Sequence, residues 1–118
     1  MKRAIIFGDF GRGKIADVVS DVEPWLRQRL ELVVCDTSQP VDVTSCEADL
    51  AVVFGGDGAM LYAARLLGGK QIPIVGVNMG KLGFLAEIHN REIKPAFEKI
   101  MSGEYRIMER MMPVLHPL

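Results

Sequence analysis

The residues best suited to do chemistry form a turn of four, Gly55-Gly56-Asp57-Gly58, inside the stretch LAVVFGGDGAMLYAARLL. Glycine lets a ligand approach the backbone closely. A turn that opens a helix adds free N–H groups, and these favour an anion such as phosphate. A carboxylate set among such amides can act as base toward a hydroxyl or help organise Mg2+, two needs of phosphoryl transfer to an alcohol. Asp57 can equally cap the helix, an ordinary task for Asp, although a cap does not require three flanking glycines. On spacing alone both roles stay open.

Two further glycine-rich turns invite the same question. Gly8-Asp9-Phe10-Gly11-Arg12-Gly13-Lys14 fits the GxxxxGK core of a P-loop. The Ser/Thr that would hold Mg2+ is missing, because Ile15 follows. A looser role remains, in which backbone N–H groups with Arg12 or Lys14 touch phosphate at a helix N-terminus; the alternative is a solvated turn. The third turn, Gly76-Val77-Asn78-Met79-Gly80-Lys81-Leu82-Gly83-Phe84-Leu85, brings backbone close to something at Gly80 and Gly83. Phe84 can cover a flat ring or sit in the core. The Asn78 amide can meet either a ligand or the backbone of its own turn.

The elements that must position these turns follow from hydrophobic spacing. Arg3–Phe7 reads as a buried strand. From Lys14 to Leu30, Ile15, Val18, Val19, Val22, Trp25, Leu26 and Leu30 recur on one helical face, with Pro24 expected to interrupt or kink the helix. Leu30–Asp36 is a second strand. Asp49–Phe54 is a third, apolar on both faces, as in a covered parallel sheet. Ala59–Leu67 is helical and ends at Gly68-Gly69. Ile72–Asn78 is a fourth strand. A last helix has Asn90 as its expected cap, Ile93, Phe97, Ile100 and Met101 on its inner face, and Gly103 as its stop. EYRIMERM is again strand-like. This order is α/β, and ligands of such sheets bind beyond the carboxyl ends of the strands. All three turns are expected on that one edge.

Composition narrows the class. The chain has 118 residues, 49% hydrophobic and 25% charged, enough for one sizeable core. A formal net charge of −1 gives no basic surface for nucleic acid or an anionic membrane. The apolar run near the start is too short for a signal peptide, and no stretch approaches a membrane span. Cys35 and Cys46 form no metal-ligand pattern and read as buried thiols in a reducing cytosol. The sequence closes on MERMMPVLHPL, apolar where domains are usually polar. That tail is expected to self-associate or to fold back on its own sheet.

VFGGDGAMLYAARLL followed by IPIVGVNMGKLGFLAEI resembles the bacterial NAD kinases, which use ATP or polyphosphate. GGDG alone is shared with lipid kinases; the added GxNxGxLGFL separates NAD kinases from them. The likeness covers about Asp49–Leu115. It implies a three-layer α/β domain with a parallel sheet, the N-terminal part of the NAD kinase and diacylglycerol kinase-like superfold, without the β-rich second domain. Residues 1–104 would be the nucleotide-binding domain and 105–118 the start of the second. By the resemblance, Asp57 acts on the 2′-hydroxyl of the adenosine ribose of NAD. Gly58, Asn78 and Phe84 contact NAD, with Phe84 lining the adenine pocket. Gly55 and Gly56 belong to the phosphate-facing turn; Arg12 and Lys14 lie before the stretch of likeness and are added as phosphate contacts from the reading of the first turn alone. Mg2+ travels with ATP or polyphosphate, and no protein-built metal site is expected. The resemblance further implies a cytoplasmic enzyme, homo-oligomeric at full length, whose first 118 residues alone are inactive. A lipid or sugar kinase of the same superfold, or a non-catalytic nucleotide-binding or assembly module, are the alternatives.

Overall fold

A computed structural model of the chain describes residues 2–43, 46–80, 88–109 and 113–118. The strands are β1 (Arg3–Gly8), β2 (Glu31–Asp36), β3 (Leu50–Gly55), β4 (Ile74–Asn78), β5 (Ile88–His89), β6 (Tyr105–Glu109) and β7 (Pro113–Pro117). The helices are α1 (Ile15–Arg27), α2 (Asp57–Leu67) and α3 (Ile93–Met101).

One sheet runs in the order β2-β1-β3-β4-β7-β6, and β5 also pairs with β4. All pairs are parallel except β6 with β7. One flank of β4 is divided: β5 takes its carboxyl end at Val77 and Asn78, and β7 its amino end at Ile74. Strand side chains alternate between two cores. Ala4, Ile6, Val52, Phe54, Val75 and Val77 pack with α1 and α3 through Val19, Leu26, Phe97 and Ile100. Ile5, Phe7, Ala51, Val53 and Ile74 pack with α2 through Met60, Ala63 and Leu67. Helices on both faces explain why the central strands are apolar throughout, and they give the three expected layers. Burying a Phe or Leu side chain contributes roughly 1.5–3 kcal/mol.

Several expectations need correction. Met101, expected on the inner face of α3, is exposed, because it is the last residue of the helix and falls beside rather than on the buried row of Ile93, Phe97 and Ile100. Pro24 does not break α1, which runs unbroken through it. Pro24 faces solvent while Val22 and Leu26 on either side of it are buried, and their burial offsets the lost hydrogen bond. Asn90 does not cap α3. The cap position is Glu92, whose N–H closes a turn on the His89 carbonyl at 2.9 Å. Helix α2 begins at Asp57 rather than Ala59. Cys35 and Cys46 are free thiols, half-buried rather than buried; burial, then the nearby Cys46, pushes the Cys35 thiol above its ordinary value.

Tyr105–Glu109 and Pro113–Pro117 add β6 and β7 to the same sheet, so the described part of the apolar tail folds back on it. Val114 and Leu115 are buried. Among the described residues, no helix is long and apolar enough to cross a membrane. Among the described residues, the connection from β2 to β3 lacks regular structure. It is held by Val43, which is buried, and by Lys70, whose Nζ donates to the carbonyls of Val43 at 2.9 Å and Cys46 at 2.8 Å.

Candidate nucleotide site

Each glycine turn leaves the carboxyl end of one of three adjacent strands. After β1, the Phe10 N–H donates to Asp36 Oδ1 at 3.1 Å and the Gly11 N–H to Asp9 Oδ1 at 3.1 Å. Asp36 also accepts from the Ser38 hydroxyl at 2.7 Å and its N–H at 3.0 Å. These bonds, led by those from Ser38, hold the Asp36 carboxyl below the usual carboxylate range. Gly13 lies at φ +56°, where a side chain is strained. Lys14 takes the cap position of α1. Ile15, in the place of the P-loop hydroxyl, is buried against the α1/α3 core.

After β3, the two leading glycines serve different ends. A Cβ on Gly55 would lie 2.6 Å from Ala59 Cβ, so Gly55 lets α2 pack against its own strand. Gly56 is extended, with φ −135° and ψ −159°, and a Cβ there would meet nothing within 4 Å among the described residues. Gly58 is equally open. Neither the backbone nor packing among the described residues accounts for the missing side chain at Gly56. Gly56 is the helix cap and Asp57 the first helical residue, so the reading of Asp57 as the cap falls away.

After β4, the side chain of Asn78 is buried and its Oδ1 accepts from the Gly80 N–H at 2.7 Å. The Met79 N–H donates to the Gly55 carbonyl at 3.0 Å. The Asn78 amide therefore meets the backbone of its own turn, one of the two roles left open by the sequence. Phe84 lies outside the described residues.

The turns enclose a cleft of about 560 Å³. Its wall is Arg12 to Ile15 from the first turn, Gly55 and Gly56 from the second, Asn78 to Gly80 from the third, and Asn90. Five of the expected site residues thus come together, Arg12, Lys14, Gly55, Gly56 and Asn78, with Gly80 of the third turn in the same wall. Asp57 and Gly58 follow in the adjoining first turn of α2. Asn90 was missed as a site residue. Its place is set by β5, which pairs His89 with Asn78, and a two-residue strand carries no periodicity to reveal it. A second cavity, of about 270 Å³, lies at the amino ends of the strands and is lined by Lys2, Arg29 and Asp49 among others. It contains none of the glycine turns.

Residues 14–105 match the family model for the ATP-NAD kinase N-terminal domain. An NAD kinase from Geobacter metallireducens is 45% identical over 121 residues, covering 95% of this chain and 43% of that protein. One from Geobacter sulfurreducens is 41% identical over 123 residues, with the same coverages of 95% and 43%. The chain thus spans less than half the length of these relatives. The fold is also that of a yeast NADH kinase solved with NADH, with a TM-score of 0.72, 17% identity, and coverage of 92% of this chain and 40% of that one. An NAD kinase from Archaeoglobus fulgidus solved with ATP gives a TM-score of 0.56 and 20% identity over 96% of this chain and 45% of its own.

Proposed function

The chain belongs to the ATP-NAD kinase N-terminal domain family, and from that premise we propose that it supplies the α/β half of an enzyme making NADP. The reaction moves the terminal phosphoryl group of ATP, or of polyphosphate, to the 2′-hydroxyl of the adenosine ribose of NAD. The hydroxyl oxygen forms a bond to phosphorus, the bond to the bridging oxygen breaks, and ADP or the shortened polyphosphate leaves. Asp57 takes the hydroxyl proton. Gly58 lies beside the same ribose and Phe84 covers the adenine.

The observation that carries this reading is the convergence of the Gly55-Gly56 turn with Arg12 and Lys14 on one cleft at the carboxyl ends of the strands. Two cations and the opening turn of α2 suit a polyphosphate chain. The open space at Gly56 leaves room for it. Among the described residues no three His, Cys, Asp or Glu side chains cluster to hold a metal. Mg2+ would be held mainly by the donor's phosphates and water, so the Asp57 carboxylate keeps its role as base. That ion would neutralise charge on the transferred group.

The test uses a chimera of this chain with the C-terminal remainder of the Geobacter metallireducens kinase. Asp57→Asn should abolish most NADP formation while the melting temperature changes little, since Gly56 and not Asp57 holds the cap position. Retained turnover in Asp57→Asn refutes the base. The 118-residue chain alone should form no NADP; measurable formation would place the whole reaction in this half.

A further inference from the structure

We propose that Asn78 is a positioning residue, which sets the distance between the turn after β4 and the Gly55-Gly56 turn and does not itself bind NAD. The idea rests on the kinase reading only for its kinetic consequence. Asn78 is 1% exposed, and its Oδ1 holds the Gly80 N–H at 2.7 Å, at the short end of such bonds. Asn78 and Gly55 are partners in the β3–β4 ladder, so the two turns leave the sheet side by side. The next N–H, from Met79, returns to the Gly55 carbonyl at 3.0 Å. The strand end thus ties itself to both turns, one bond by side chain and one by backbone.

Gly80 shows why the side chain is needed. A Cβ built on Gly80 would meet nothing within 4 Å, so no packing among the described residues fixes it. The Asn78 carboxamide supplies the fixed point. A shorter residue would leave the Gly80 N–H without that acceptor and let the cleft wall drift from Gly56. An acceptor of the same length would keep it.

Amide hydrogen exchange of the 118-residue chain, with no nucleotide present, tests the contact. Asn78→Ala should speed exchange at Gly80 about tenfold while Val52 and Val75 stay slow. Asn78→Asp keeps the acceptor and should keep Gly80 slow. If Asn78→Ala does not fold, Asn78→Val, which fills the strand end but carries no acceptor, replaces it. In the chimera, Asn78→Ala should lower kcat by about 100-fold, with a smaller rise in the KM for NAD. Unchanged exchange at Gly80, or a raised KM for NAD with kcat intact, would overturn the proposal and make Asn78 a ligand contact. A parent chimera that forms no NADP would sink the kinase reading while leaving the Gly80 measurement to decide this one.

Discussion

Gly55 and Gly56 are neighbours of the same type, and their replacement by alanine should have opposite consequences. In Gly55→Ala the new Cβ would stand 2.6 Å from Ala59 Cβ. Ala59 has no rotamer to change, so the start of α2 must move away from β3. Overpacking of this kind costs about 1–3 kcal/mol, which in a chain of this size lowers the melting temperature by roughly 4–12 °C. In Gly56→Ala the Cβ meets nothing within 4 Å among the described residues and the backbone is extended, a conformation open to alanine. Alanine is a poorer cap than glycine, but it also restricts the unfolded chain; the two effects nearly cancel and leave a shift of less than about 4 °C. The Cβ nevertheless projects where the donor phosphates are proposed to lie, and misplacing them should cost about 100-fold in kcat/KM. Thermal melts of the chain, monitored by circular dichroism, and NADP formation by the chimera give the two readouts. A stable Gly56→Ala variant with parental kcat/KM would refute the idea that this space is kept open for a ligand. A Gly55→Ala variant that melts with the parent would show that α2 does not lean on β3 as described.

Two further outcomes are expected. Lys14→Ala in the chimera should reduce kcat/KM about tenfold and not abolish it, because buried Ile15 cannot supply the P-loop hydroxyl; complete loss with an unchanged melt would restore the P-loop. Asp36 is held below its ordinary value of 3.8, so its bonds to Phe10 and Ser38 persist at neutral pH and are lost only as pH falls through that lowered value. The Phe10 and Ser38 amide shifts should therefore inflect together below 3.8, and an inflection at or above it would mean that these bonds do not persist in solution.

The layers were legible because burial imposes a period. The step of three and four in α1 and the doubly apolar β3 come from packing on a sheet covered on both faces. Pro24 misled because its local cost is outweighed by Val22 and Leu26, whose burial depends on a sheet distant in sequence. Asn90 misled because its residue type suits a cap, whereas the turn closed between Glu92 and His89 decides where α3 begins. At the site, the glycine turns were visible from composition, and element order put them on one edge. What each glycine does was not visible. Gly55 and Gly56 look alike until the position of Ala59 is known. The amide of Asn78 is likewise compatible with ligand or backbone until Gly80 is placed.

The clip formed by Lys70 bears on how this chain can be altered by insertion. A long surface connection ordinarily tolerates added residues, since lengthening a loop costs little entropy. Between β2 and β3 that freedom is uneven. Gln39 and Pro40 are exposed and lie before the buried Val43, so a tag placed there lengthens only the slack part of the connection. Residues inserted beside Val43 or Cys46 would draw away the two carbonyls that Lys70 grips from the turn just after α2. The ammonium would then lose acceptors supplied by a segment more than twenty residues earlier, and Val43 would leave its place beneath the sheet. A lengthening applied there would thus be felt at the end of α2, whereas the same lengthening at Pro40 would not.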